Sequence, residues 1–256
     1  MQSIVYDGSF DGFLCAVFDV YYYKFSEVDI CPKHRFIGNL LQQAHTVHTV
    51  KTNSERVCNG LEKKLTRQGL TQLYKTFLSE IPGIENSLLQ YIQYAISIKK
   101  NIETDFSHPA VLAITQTAKK VDREKHRMEA FVRFQKTTDE LFYAIIEPDY
   151  NVLPIISRHF EKRYADQRWL IYDGKRKYGI YYDLHQTTEV QINFSEEINK
   201  GKDATTIWNK DEEMYQQLWQ QYFKSVNIAA RKNTKLHLQH MPRRYWKYLP
   251  EKKTAQ

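Results

Sequence analysis

The stretch "VDREKHRMEAFVRFQ" sets Arg123, His126, Arg127 and Arg133 among Asp122, Glu124 and Glu129. Guanidinium groups carry permanent charge and forked donors that match phosphate or carboxylate. The pattern reads as a polar helix up to His126 and as a strand from Ala130, so these cations surround one structural corner. Two chemistries fit such a corner: an ion-paired joint, or a surface that grips an anion. A second cluster, "RHFEKRYADQRWLIYDGKRKY", carries Arg158, Arg163, Arg168, Lys175, Arg176 and Lys177 beside Trp169 and Tyr172. A third, "KSVNIAARKNTKLHLQHMPRRYWKYLPEKK", holds nine Lys and Arg against one acid, Glu251, and ends in Arg243, Arg244, Tyr245 and Trp246.

Lysine and arginine neutralise phosphates, and aromatic faces stack on unpaired bases. If the three clusters share a face, Arg123, His126, Arg127 and Arg133 contact DNA phosphate or a partner carboxylate. Arg163, Trp169, Tyr172 and Arg176 extend that surface, and Arg243, Arg244, Tyr245 and Trp246 clamp it. The competing assignment is structural: Arg163 pairs with Asp166, while Trp169 and Tyr172 fill a hairpin core.

Other chemistries find less support. Cys31, His34, His45 and His48 have a loosely zinc-like spacing. The Thr and Val content of "HTVHTV" favours a strand, which turns His45 and His48 to opposite faces, so no metal site is expected. Phosphate-binding glycine loops, nucleophile elbows and cluster-binding cysteine triplets are all missing from the sequence. An enzyme acting on nucleic acid would rely on His126 or His159 with a nearby carboxylate. Glu147, Asp149, Asp173 and Asp183 stand at strand ends where carboxylates also shape turns.

The 256 residues carry a formal charge of +7 and a pI of about 9.1, compatible with an anionic partner. Eighteen Tyr and thirteen Phe against four Trp suit surfaces that are partly apolar and partly wet. Three cysteines without a paired spacing suggest reduced thiols, and hence a cytoplasmic protein. No run approaches the roughly 20 apolar residues that span a bilayer.

These side chains need a scaffold. "SIVYD", "DGSFDG" and "FLCAVFDVYYYKF" read as strand, turn and helix. "SERVCNGLEKKL", capped by Ser54, and "TQLYKTFLSEI" read as short helices. "IENSLLQYIQYAISIKKNI" and the segment after His108-Pro109 are longer ones. "AFVRF" with "LFYAIIEP" forms one β-hairpin, and "RWLIYDGKRKYGIYYD" forms a second, turning at Asp173-Gly174. "NVLPIISRHFEKRY" is a helix between them, "TEVQINF" a further strand, and "KDEEMYQQLWQQYFKSV" an amphipathic helix before the basic tail. The expected fold is a single α+β domain over 1–256. Its helical sub-region spans 54–127, and a small antiparallel two-hairpin unit spans 128–195.

The joint occurrence of "HRMEAFVRF", "EPDYNVLP", "HFEKRYADQRW" and "RRYWKYLPE" resembles a bacterial family known as a domain of unknown function and described in terms of DNA metabolism and DNA repair. "YDGSFDGFLCAVFDVY" and "HPAVLAI" extend the resemblance toward the first residues, whereas 25–80 match less distinctly. The resemblance implies an accessory that binds DNA and accompanies a radical-SAM modification or repair enzyme. Some similar chains are joined to a uracil-DNA glycosylase-like domain; no such extension is expected after Gln256, so that activity is not carried over. Nor are SAM or an iron–sulfur cluster, because the cysteines are missing, so no cofactor is expected. The resemblance implies no catalytic residue.

Overall fold

A computed structural model describes residues 2–38, 44–136, 140–191 and 241–249. The chain divides into two compact units, Met1–Asp122 and Arg123–Gln256, and the division falls inside a helix. The α+β class holds.

The first unit opens with β1 (Gln2–Tyr6), α1 (Phe10–Tyr22) and β2 (Val28–Pro32), and β1 pairs parallel with β2. A two-residue strand, β3 (His45–Thr46), pairs parallel on the other side of β1. Ser9 caps α1 by accepting from the Gly12 amide at 2.9 Å, and Asp7 fixes Ser9 by accepting from its amide and hydroxyl. Four helices follow: α2 (Lys51–Glu62), α3 (Arg67–Phe77), α4 (Ile84–Ser97) and α5 (Pro109–Phe131). The core joins Ile4, Phe13, Val17, Leu88, Ile92 and Ile114. Ser54 is not the α2 cap. The helix begins three residues earlier, and the Ser54 hydroxyl donates to the Lys51 carbonyl at 3.0 Å.

The second unit holds a five-stranded sheet ordered β4-β5-β6-β7-β8. Its strands are β4 (Gln135–Lys136), β5 (Phe142–Ile146), β6 (Trp169–Asp173), β7 (Tyr178–Tyr182) and β8 (Thr187–Val190), with α6 (Leu153–Arg163) between β5 and β6. The second expected hairpin is present as β6–β7, whereas β5 pairs antiparallel with β4 and not with "AFVRF". Between them β5 and β6 pair parallel, so the sheet is mixed and not purely antiparallel. A helix interposed between neighbouring strands is the connection that parallel pairing requires. "AFVRF" is not the first hairpin strand, because α5 continues to Phe131. Asp173-Gly174 is not a two-residue turn, because Gly174–Lys177 form a four-residue connection. Trp169 sits at the centre of an aromatic core, 5.4 Å from the Tyr182 ring and 6.2 Å from that of Phe160. The expected helix "KDEEMYQQLWQQYFKSV" and the tail up to His240 lie outside the described residues.

Candidate nucleic-acid interface

The chemistry of the second unit concentrates where β5 and β6 end. In parallel sheets this carboxyl edge, where strands hand over to loops, is the usual place for functional groups. Glu147, Pro148 and Asp149 follow β5, and Asp173 closes β6. Nearby stands Glu124, a carboxylate only 1 % exposed. A charge so deeply buried demands several donors. It has them: the Asp149 amide at 2.8 Å, the Tyr245 hydroxyl at 2.5 Å, Arg244 at 3.2 Å and Arg127 at 3.5 Å. Arg244 also reaches Asp149 at 2.7 Å, and Lys247 reaches Glu147 at 2.6 Å. Four contacts therefore fasten the 3-10 turn Arg243–Tyr248 to this edge.

A second buried carboxylate organises the β6–β7 turn. Asp173, fully buried, accepts from the amides of Lys175 and Arg176 and from the Arg176 guanidinium at 2.9 Å. The same guanidinium donates to the carbonyls of Pro148 and Asp149, tying both strand ends together. The hydrogen bond from Lys247, backed by Tyr248, holds Glu147 below the usual carboxylate pKa. Burial opposes the Arg244 charge, yet Tyr245, Glu124 and Asp149 outweigh it and raise its pKa. Burial, then Glu124, pushes the Tyr245 hydroxyl well above its ordinary value. Glu147, Asp149 and Asp173 thus gather as strand-end carboxylates, each held by a cation. Asp183 instead accepts from the amides of His185 and Gln186 in the β7–β8 turn.

The structure divides the sequence-derived residues. Arg127, Arg176, Arg244 and Tyr245 converge on this edge, but as internal partners of Glu124, Asp173 and Asp149. Trp169, Tyr172 and Tyr245 are at most 4 % exposed, so none presents a ring face to a base, and their expected stacking role is corrected to core packing. Arg133 donates to the carbonyls of Ala130 and Val132 and finishes α5. Arg163 is exposed, 5.8 Å over the Tyr164 ring, and Arg243 stands 5.8 Å over Trp246, whose indole donates to the Met241 carbonyl. Arg123 is exposed on α5. His126 and His159 both face Glu129, at 3.4 and 3.9 Å. Glu124, the residue on which most of this depends, stands in the sequence as one of three acids available to an ion-paired joint; its burial is not legible there, because one acid in a charged helix looks like solvated surface.

Among the described residues no three His, Cys, Asp or Glu side chains gather as a metal site, and His45 instead meets Asp19 at 2.7 Å. No described helix is long and apolar enough to cross a membrane.

Residues 82–251 match the model of a family described as a domain of unknown function, DUF4130. The match spans most of the chain, which therefore belongs to that family. No curated protein matches it.

Proposed function

We propose that this family member is an accessory protein of DNA metabolism that binds DNA through its second unit and accompanies a radical-SAM modification or repair enzyme. The observation that carries the DNA reading is an asymmetry of charge. Residues 1–122 hold 13 Lys and Arg against 12 Asp and Glu, whereas residues 123–256 hold 24 against 18. Six of the seven excess positive charges therefore belong to one unit. Charge concentrated in this way attracts a polyanion and releases its counterions on binding.

The proposed contact residues differ from the ion-paired ones. Arg158, Lys162 and Arg163 on α6 and Lys177 in the β6–β7 turn are exposed and form no ion pair among the described residues. Such side chains lose little on meeting phosphate, whereas Arg127 and Arg244 would first have to leave Glu124. The enzyme companion rests on the family resemblance of "HRMEAFVRF" and "RRYWKYLPE".

Fluorescence anisotropy of labelled single- and double-stranded oligonucleotides against the full chain, at several salt concentrations, tests the DNA reading. Replacing Arg158, Lys162 and Arg163 by Ala should weaken binding and reduce the salt slope by about two to three on a log–log plot. Unchanged affinity and slope would remove the basis of the proposal. Capture of the radical-SAM companion that survives nuclease, with no DNA binding at any salt, would select a pure protein–protein adaptor instead.

One observation supports an enzymatic alternative: two imidazoles flank Glu129. Turnover of damaged DNA by the isolated chain, abolished by His126→Ala, would favour it.

A further inference from the structure

In the first unit, Phe18, Tyr21 and Tyr22 of α1, Arg56 and Gly60 of α2, and Ile96 of α4 wall a groove of 480 Å³. Its rim is unusually apolar for solvent-facing surface. Tyr21 is 45 % exposed, Tyr22 67 % and Ile96 42 %. Contiguous exposed apolar surface of this kind marks interaction sites, and tyrosine is enriched there because its ring packs while its hydroxyl stays wet.

The surroundings narrow the occupant. Lys64, just beyond α2, donates to the carbonyls of Ile96 and Ile98 at 3.3 and 3.4 Å. Those two carbonyls are therefore already engaged, and the lining residues lie on or just beyond helices, with no strand edge among them for an incoming strand to pair with. Recognition must run through side chains entering between helices, the mode by which an amphipathic helix sits in a groove. Both ionisable wall residues besides the tyrosines are cations: Arg56, lying 5.7 Å over the Phe18 ring, and Lys64. Gly60 lies between them in sequence, and a Cβ built there meets nothing within 4 Å. Arg56 and Gly60, four residues apart on α2, lie along one side of the groove, and Lys64 lines it just past the end of that helix.

We infer that this groove docks an amphipathic helix of a partner protein, with leucine or phenylalanine side chains entering between α1 and α2 and carboxylates meeting Arg56 and Lys64. This surface lies in the nearly neutral unit and stands independently of the DNA reading.

The test uses the full chain and two labelled synthetic helical peptides that share a Leu/Phe face, one flanked by Glu and the other by Lys. At low salt the Glu peptide should bind at least tenfold more tightly and shift the NMR signals of Gly60 and Tyr22. Gly60→Phe, which fills open space, should reduce that binding at least tenfold without lowering the melting temperature or changing DNA affinity. Arg56→Glu with Lys64→Glu should reverse the preference between peptides. Equal binding of both peptides, binding of neither, or indifference to Gly60→Phe would overturn the inference. So would a wild-type dimer that Gly60→Phe dissociates in sedimentation, which would identify a second copy as the occupant. Binding to anionic vesicles lost in Gly60→Phe would likewise assign the groove to lipid.

Discussion

The hydroxyl of Tyr245 donates to Glu124, a carboxylate 121 positions earlier in the chain, and both groups are buried. This bond, with those from Arg244, turns a short basic segment near the end of the chain into part of the folded unit. The cationic corner at the end of α5 is accordingly an ion-paired joint, and the proposed DNA contacts fall to exposed arginines and lysines elsewhere in the unit.

Glu124→Ala should therefore be among the most damaging single changes. It strands Arg127, Arg244, Tyr245 and the Asp149 amide, and losing one partner of a buried ion pair costs about 3–5 kcal/mol. Tyr245→Phe removes one donor of four and should cost about 1 kcal/mol. Urea denaturation of both variants checks the order. Equal, small effects would mean that the carboxylate is solvated after all.

Trp169 separates packing from recognition. Its ring is fully buried, and its indole N–H finds no partner among the described residues. Trp169→Ala should cost about 3–5 kcal/mol through the cavity it leaves. Trp169→Phe loses volume but also relieves the unpaired donor, so its cost should stay below about 1.5 kcal/mol, with DNA affinity unchanged. A stacking tryptophan would instead forfeit about 1–3 kcal/mol of binding, which anisotropy would detect.

Much of the framework was legible because it is local. The strand–turn–helix opening, the helix at Ile84–Ser97, the Pro109 start and the β6–β7 hairpin all follow from periodicity and turn chemistry. The end of α5 was not. Its inward positions run Val121, Glu124 and Met128, and a buried glutamate breaks the apolar stripe that identifies a helix face. The parallel pairing of β5 with β6 was hidden because hairpin signals report neighbours in sequence, whereas that pair meets across α6. Burial of Tyr172 and Tyr245 was equally invisible, because interleaved cations and rings look alike whether the rings face solvent or core. Only the folded chain shows which carboxylates neutralise the arginines.

The opening turn of α1 should show strong coupling. A Cβ at Gly12 would lie 2.1 Å from Asp7 Oδ1, and that carboxylate also accepts from the Ser9 amide and the Thr49 hydroxyl. Gly→Ala inside a helix normally stabilises by about 1 kcal/mol. Here Gly12→Ala should destabilise, because Asp7 must swing away and release its donors. In an Asp7→Ala background the same change should cost less, so a double-mutant cycle will be non-additive by at least about 0.5 kcal/mol. Additive effects would show that Asp7 yields freely.

Glu85 predicts a pH dependence with a definite sign. It lies in the first turn of α4, is 3 % exposed and accepts the Tyr6 hydroxyl at 3.1 Å. Burial raises its pKa above the ordinary 4.5, with Asp29 adding to the rise, although the helix amides, Tyr6 and Arg35 pull the other way. The folded state therefore holds the proton more tightly than the unfolded chain does. From pH 4.5 up to the raised value the native state binds more protons, so this residue's contribution is fully present below 4.5 and is lost as pH rises through the folded pKa. Glu85→Gln keeps an acceptor for Tyr6 and removes the titration. Its stability at neutral pH should equal or exceed that of the native protein, and the two should converge below pH 4.5. Denaturation midpoints measured from about pH 4 to about pH 8 decide the matter. If the variant keeps the native slope, or falls well below the native protein at neutral pH, Glu85 is stabilised as a carboxylate and its buried charge is better compensated than its burial implies.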